Sequence, residues 1–194
     1  MKATELLKTQ HRKVEALFKR IEAGRSDSEA LVKELAASLG AHMVIEETIF
    51  YPAIKGIKEG LVLESYEEHD VARFAIRNLL ATRQSAESFA ARVTTLKELI
   101  EHHVEEEEEK LFPKVEKRLA AENLEELGAK MKAAFEALVP KGFVGLYGKS
   151  NENGKASGRS NPPAKAASAA KPNSAKAAPK RGAKKGTRTT SAHA

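Results

Sequence analysis

An eleven-residue pattern occurs twice in this chain, beginning at His42 and at His103. Each copy runs histidine, three residues, two glutamates, three residues, an aromatic residue and proline. Residues four apart lie on one face of an α-helix, about 6 Å apart along its axis. Each copy therefore presents an imidazole and a carboxylate side by side. Two such pairs facing each other would make a metal site.

Apolar residues recur at three- and four-residue steps through residues 1–140, and no stretch alternates like a β-strand. Start, stop and capping signals predict five helices: Thr4 to about Ala23, Ser26 to Pro52, Val62 to Thr82, Ser85 or Glu87 to Leu119, and Asn123 to Val139–Pro140. Four long helices with short connectors predict an all-α, antiparallel up-down-up-down four-helix bundle. The fifth, C-terminal helix is expected to pack across one end or along a groove. Gly40 is expected to permit close approach of a neighbouring helix.

Two further histidines extend the repeat. His11 precedes His42 by 31 residues, and His69 precedes His103 by 34. Each half of the bundle is thus predicted to be a helical hairpin, with one histidine on its first helix and His-x-x-x-Glu on its second. This pattern predicts a pseudo-two-fold axis through the site.

Core-facing positions on the four helices carry six candidate metal ligands: His11, His42, Glu46, His69, His103 and Glu107. Buried carboxylates without partners are costly, and a pair of ions bridged by the two glutamates would offset that cost. The chain has no cysteine, so thiolate ligands and disulfides are excluded. Imidazole and carboxylate donors favour iron, manganese or zinc.

Other assignments stay open from the residues alone. A single histidine is more often a satisfied core or surface residue, and the acidic run would otherwise be a solvated helix face. Glu106 and Glu108 are better read as outer or exposed residues, as is Glu47. Glu47 or Glu106 could still be ligands if the helix phase differs. His102 could replace His103, although the repeat alignment favours His103.

The chain resembles the haemerythrin family, in its bacterial His-His-Glu cation-binding branch, over about residues 3–120. The resemblance rests on the two His-x-x-x-Glu pairs with their trailing aromatic-Pro, and on the two hairpin-matched histidines. It implies a four-helix bundle with two iron ions joined by an oxo or hydroxo bridge. His11 and His42 would bind one iron, His69 and His103 the other, and Glu46 and Glu107 would bridge them. Manganese or zinc would fit the same ligands.

One position departs from the family pattern. Oxygen-carrying haemerythrins have a further histidine four residues after the one matching His69, where this chain has Arg73; the first hairpin has Glu15 there. Arginine is not a metal ligand at ordinary pH. The departure argues against simple reversible oxygen carriage. Arg73 either lies near an open position and attracts an anion such as peroxide, or it points outward or pairs with a local acid such as Asp70.

The predicted function is a haemerythrin-like di-iron protein that binds or reacts with O2, peroxide or NO. Its role would be sensing, or protection against oxidative or iron stress. A catalase- or peroxidase-like enzyme is an alternative, and the sequence leaves open whether the protein is an enzyme. No run of about 20 apolar residues is present, which argues against a membrane span. No signal peptide is visible, so a cytoplasmic location is expected.

The charge of the chain is divided unevenly. Residues 141–194 hold 12 Lys/Arg and one acid, whereas residues 1–140 hold 21 Lys/Arg and 26 acids. We therefore predict a haemerythrin-like domain over 1–140 and a basic tail over 141–194. Residues 149–194 have no aromatic side chain and are expected to be disordered. Such a tail would bind DNA or RNA without sequence specificity, through counterion release, or would only increase solubility.

Overall fold

The computed structural model describes residues 1–24 and 28–148, and the regular structure in these ranges is entirely helical. The α-helices are α1 (Ala3–Glu22), α2 (Ser28–Ile45), α3 (Tyr51–Ala53), α4 (Glu59–Leu80), α5 (Ser88–Glu106), α6 (Phe112–Arg118), α7 (Ala121–Leu138) and α8 (Gly142–Tyr147). The all-α prediction is confirmed for this part of the chain. The predicted disorder of residues 149–194 lies outside the described residues, as does the start of the predicted capping box at Ser26.

Four long helices pack around a common core. Helix α1 contacts α2 and α5, and α4 contacts the same two helices, so the four close into a ring. Buried apolar side chains such as Phe18, Leu35, Ile76 and Leu96 fill its interior. The helical bundle is confirmed, and its up-down-up-down order stays a prediction. No described helix is both long and apolar enough to span a membrane.

A second apolar cluster lies nearer the other end of the helices. It contains Leu7, Phe50, Phe112 and Met131, the last from α7, the fifth long helix predicted from the sequence. Helix α7 packs against α1 and α2. In sequence, each candidate histidine stands between residues of the two clusters; His11, for example, follows Leu7 and precedes Val14. The candidate ligands therefore form a polar layer between two apolar ones.

Two five-residue π-helical segments, Glu46–Phe50 and Glu107–Leu111, join α2 to α3 and α5 to α6. Each begins at a glutamate of the repeat and is followed by the repeat's aromatic-Pro. The N–H of Tyr51 donates to the carbonyl of Glu46, five residues earlier, which is the π-helical spacing. The extra residue in the turn changes the direction in which later side chains point. The helical path ends at Ala53, one residue beyond Pro52, where the sequence predicts an end or a kink.

The sequence assigned residues 142–147 to the basic tail, but they form α8, which packs on α2. Phe143 is buried among the bundle residues, and the Tyr147 hydroxyl donates to the Gly40 carbonyl at 3.1 Å. A Cβ on Gly40 would lie 3.1 Å from the Phe143 ring. The close approach predicted at Gly40 is thus observed, with α8 as the neighbour. Six residues are too few to carry a helical period, which is why the sequence did not predict α8.

Candidate metal centre

The four candidate histidines form two pairs inside the bundle. Nε2 of His11 lies 3.3 Å from Nε2 of His42, and Nε2 of His69 lies 3.2 Å from Nε2 of His103. The first pair joins α1 to α2 and the second joins α4 to α5. None of these residues is more than 4% exposed. The two-hairpin repeat in the sequence therefore corresponds to two imidazole pairs in space.

Glu46 and Glu107 lie between the two pairs, and both are fully buried. The two oxygens of Glu46 lie 3.2 Å from Nε2 of His42 and 3.3 Å from Nε2 of His69. Oε2 of Glu107 lies 3.5 Å from Nε2 of His11 and 3.8 Å from Nε2 of His103. Each carboxylate thus contacts one imidazole from each hairpin. The structure brings all six predicted residues together.

Three of the four carboxylate oxygens of Glu46 and Glu107 are left without hydrogen bonds in the described part of the chain. Within residues 1–24 and 28–148, neither oxygen of Glu46 nor Oε2 of Glu107 has a hydrogen-bond partner. Leaving buried acceptors unpaired is costly, and more so when they are charged. Ligand atoms of Glu46 lie within 4.8 Å of those of His11, His42 and Glu107, and also of those of His69 and His103. Two cations bound in these overlapping groups would satisfy the carboxylates, so the donor set fits a pair of metal ions.

The outer nitrogen of each histidine faces an acceptor. Nδ1 of His69 donates to Glu47 at 3.0 Å, and Nδ1 of His11 donates to Glu108 at 2.8 Å. In the neutral imidazole, an acceptor at Nδ1 keeps the ring proton there and leaves the Nε2 lone pair facing the centre. Each acceptor is the second glutamate of a repeat copy. The two adjacent glutamates of each copy thus have different positions. The first lies inside the centre, and the second accepts a hydrogen bond from Nδ1 of a histidine of the other hairpin.

The other two histidines are held by residues that sequence reasoning missed. Nδ1 of His42 donates to Gln10 at 2.7 Å, and Nδ1 of His103 donates to Glu68 at 2.8 Å. Gln10 and Glu68 each stand one position before a candidate histidine on the first helix of a hairpin. This shared offset was the available signal. The two residues differ in type, so the repeat does not reveal them.

The aromatic residue of each repeat copy stacks on a histidine of the other hairpin. Tyr51 packs on His69 at 5.9 Å between ring centroids, and Phe112 packs on His11 at 6.0 Å. Only Tyr51 carries a hydroxyl, which donates to Oε1 of Glu107 at 3.0 Å. Burial and the neighbouring carboxylates raise the pKa of Tyr51 well above its usual value, which keeps the phenol protonated.

Burial and neighbouring charges have opposite effects on the pKa values of the residues at the centre. Burial lowers the pKa of His69, but the carboxylates of Glu46 and Glu47 beside it outweigh that effect and raise it to about 9. Burial keeps the pKa of His42 below its ordinary value, despite the Glu46 carboxylate. Burial raises the pKa of Glu46, yet the adjacent imidazoles of His42 and His69 hold it well below its usual range. Glu46 is therefore an ionised carboxylate.

Arg73, which replaces the expected fifth histidine, is held by other side chains. It forms ion pairs with Glu47, at 2.5 Å, and with Asp70. Its guanidinium carbon also lies 5.5 Å from the centroid of the Tyr147 ring. Of the two interpretations offered by the sequence, pairing with Asp70 is the one observed. Arg73 thus supports the glutamate behind His69.

The alternative ligand His102 lies outside the centre. Its side chain is 59% exposed, and Nε2 lies 3.8 Å from Oε1 of Glu68. His103, one position later, points inward to His69. The repeat alignment therefore identified the inward histidine correctly.

The two sides of the centre differ in access. A cavity of about 330 Å3 lies between α1 and α5 beside His11; we call it the His11 cleft. Apolar side chains line it together with charged ones: Val14, Phe18, Ile100 and Val104, then Arg12, Glu15, Glu101, Glu105, Glu108 and Glu109. On the side related by the repeat, Tyr147 of α8 contacts Gly40 in α2 and Arg73 in α4. Helix α8 therefore covers the second side and leaves the first open.

A helical bundle that gathers four imidazoles around two buried carboxylates defines a protein of the haemerythrin class. The comparison with family models agrees. The model described as "Hemerythrin HHE cation binding domain" matches residues 2–115, more than half of the chain. The chain therefore belongs to this family.

Individual relatives are more distant. The crystal structure of a Hemerythrin HHE cation binding domain-containing protein from Mycobacterium kansasii is 28% identical, with a TM-score of 0.66, covering 77% of this chain and 95% of that one. An uncharacterized protein of Mycobacterium tuberculosis (strain H37Rv) is 28% identical over 142 residues, 71% of this chain and 88% of that protein. A protein of Nostoc named DNA nickase is 27% identical over 137 residues, 69% of this chain. The match spans 39% of the Nostoc protein.

Proposed function

We propose that His11, His42, Glu46, His69, His103 and Glu107 hold two iron ions joined by an oxo or hydroxo bridge. The observation that carries the proposal is the set of buried, unpaired carboxylate oxygens between four Nε2 atoms. His11 and His42 would serve one ion, and His69 and His103 the other, with both glutamates shared. Manganese or zinc would suit the same donors.

We infer that the centre binds or reacts with O2, peroxide or NO, in sensing or in protection against oxidative or iron stress. Bound iron would supply the redox chemistry. The apolar wall of the His11 cleft suits small uncharged molecules, and Tyr51 holds a proton beside Glu107. We also propose that residues 1–140 form the haemerythrin-like domain and that its four long helices are antiparallel, in up-down-up-down order. The proposed location of the protein is cytoplasmic.

Metal analysis tests the centre directly. We expect two iron ions per chain after anaerobic loading, with absorption bands typical of an oxo-bridged pair after oxidation. Glu46→Gln should lower the iron content, because it removes the shared charge. Glu98→Gln changes an exposed carboxylate on α5 outside the centre and should leave the content unchanged. Less than about one iron per chain in the unmodified protein would contradict the proposal.

An alternative function is that of an enzyme with catalase- or peroxidase-like turnover. Purified iron-loaded protein would then consume peroxide continuously rather than once per centre. Glu46→Ala and Glu107→Ala should abolish this consumption, whereas Glu98→Ala should not. A single stoichiometric reaction would instead favour binding or sensing.

The tail supports a second candidate function. Residues 149–194 carry 11 Lys/Arg and one acid, a charge suited to non-specific binding of DNA or RNA. The Nostoc relative's name, DNA nickase, is compatible with a nucleic acid as partner. A gel shift that survives metal removal, falls steeply with salt and disappears on truncation after residue 148 would support this function. Binding that persists after the truncation would contradict it.

A further inference from the structure

The motif at His103 has a second copy one residue earlier on the same helix. His102 and Glu106 are also four residues apart, so they form another His-x-x-x-Glu pair. Successive positions on an α-helix are rotated by about 100°, so the two pairs face different directions. The pair at His103 faces the centre. The pair at His102 faces Glu68 on α4.

These residues form a second group of metal donors. Ligand atoms of Glu68, His102 and Glu106 lie within 4.8 Å of one another. Glu106 is only 8% exposed, and within residues 1–24 and 28–148 its buried Oε2 has no hydrogen-bond partner. Its other oxygen accepts a hydrogen bond from Lys110, whose side chain is 55% exposed. A largely buried carboxylate with one unpaired oxygen, grouped with an exposed imidazole and a second carboxylate, is a set of donors that a cation would complete.

The group is not a by-product of the repeat. The positions related to Glu68, His102 and Glu106 in the first hairpin are Gln10, Ala41 and Ile45. Ala41 and Ile45 have no side-chain atom that can bind a metal ion, and the side-chain oxygen of Gln10 already accepts a hydrogen bond from His42. The second hairpin therefore has an additional feature on its outer side that folding of the repeat does not require.

We propose that Glu68, His102 and Glu106 form an outer site that binds a divalent transition-metal ion on its way to the internal centre. One imidazole and two carboxylates suit Fe(II), Mn(II) or Zn(II). Glu68 connects the two sites, because Oε2 accepts from Nδ1 of His103 while Oε1 faces His102. The internal ligands are almost fully buried, whereas His102 reaches solvent, so an ion can be captured at the outer site first. The loading role rests on the proposed di-metal function; the binding site itself does not.

The experiment titrates the metal-free, full-length protein with Co(II) under argon. Bound metal is counted after gel filtration, and the visible spectrum follows coordination. We expect three ions per chain in the unmodified protein and two in His102→Ala. Lys110→Gln should retain three and bind the third up to about fivefold more tightly, because an exposed ion pair no longer competes. Glu98→Gln is the matched control. Fe(II) uptake by the internal centre should slow several-fold in His102→Ala alone.

The outcomes separate the two proposals. Two ions in both the unmodified protein and His102→Ala would overturn the outer site and leave the internal centre standing. A single ion that is lost in His102→Ala would support the outer site and contradict the internal centre. Unchanged Fe(II) uptake in a His102→Ala protein that has lost its third ion would overturn the loading role.

Discussion

At the scale of residues, the centre is built by fixing both nitrogens of each imidazole. Nδ1 faces Gln10, Glu47, Glu68 or Glu108, and Nε2 faces the centre. This arrangement fixes the orientation of each ring and directs Nε2 toward the centre. The acceptors come from a helix other than that of the histidine they hold. Folding of the bundle and preparation of the ligands are therefore one event.

Removal of an acceptor behind a histidine should weaken metal binding without removing a ligand. For Glu108→Ala and Gln10→Ala we expect metal affinity to fall by about 10- to 100-fold, because Nδ1 of His11 or His42 loses its partner. Competition with a chromophoric chelator measures the change, and Glu98→Ala is the control. Affinity equal to that of the control would show that these contacts do not orient the rings.

The raised pKa of His69 makes metal binding depend on pH. Its metal-free imidazole has a pKa of about 9, so at neutral pH an ion must displace a proton. Apparent metal affinity should therefore increase with pH up to about 9, by at most about tenfold per unit for one proton. Isothermal titrations in buffers of different ionisation enthalpy would count the released proton. Release of no proton at pH 7.5 would contradict the assignment.

The raised pKa of His69 also makes the stability of the metal-free fold decrease as the pH rises. A histidine whose folded pKa is raised stabilises the folded state fully below its unfolded pKa, near 6.5. That contribution is lost as the pH rises toward about 9. Denaturant unfolding of the metal-free protein should therefore show a decrease in stability over this window. His69→Gln should show a smaller decrease, since residue 69 no longer titrates.

At the scale of elements, α8 is a structural part of the bundle. Phe143 is 3% exposed, whereas its neighbour Val144 is 47% exposed. We expect Phe143→Ala to lower the free energy of unfolding by about 3 kcal/mol, because it removes a large buried side chain. Val144→Ala should cost less than about 0.5 kcal/mol. Chemical denaturation of both variants tests the difference, and equal small effects would show that α8 does not contribute to stability.

The long helices and the six central residues could be predicted because each rests on a regular spacing. Apolar steps of three and four residues identify α1, α2, α4, α5 and α7, and the repeated His-x-x-x-Glu identifies its inward-facing members. The π-helical segments could not be predicted in this way, since they arise from a local shift in backbone hydrogen bonding. Asp70 could be predicted as a partner of Arg73 because it stands three residues earlier on the same helix, whereas Tyr147 could not, because it is distant in sequence and joins Arg73 only through the fold.

At the scale of the whole described domain, the two hairpins are alike at the centre and unlike around it. Helix α8 and Arg73 cover the face between α2 and α4, and the His11 cleft leaves the face between α1 and α5 open. The repeat thus accounts for the candidate ligands, and the differences between the two hairpins account for the unequal access to them. A small molecule that reaches the centre would pass through the cleft, beside His11.

The charges at the rim of the cleft should discriminate between ligands. Among the described residues that line it, five carboxylates outnumber one arginine, Arg12, so an anion should approach more slowly than a neutral molecule. Glu105→Gln should accelerate azide association with the iron-loaded protein by roughly two- to threefold at low salt, and less at high salt. The rate for NO should be unchanged. Stopped-flow absorbance measures both rates.

Two further variants distinguish the effect of charge at the rim of the cleft from the use of the cleft as the path to the centre. Glu98→Gln makes the same change of charge on α5 outside the cleft lining, so it should leave azide association nearly unaltered. Val104→Phe enlarges a side chain of the apolar wall and should slow azide and NO alike, because it narrows the cleft for any ligand. Equal acceleration of azide by Glu105→Gln and Glu98→Gln would indicate that only net charge matters. Unchanged rates for both ligands in Val104→Phe would mean that they reach the centre by another path, and the open face beside His11 would then have no role in access.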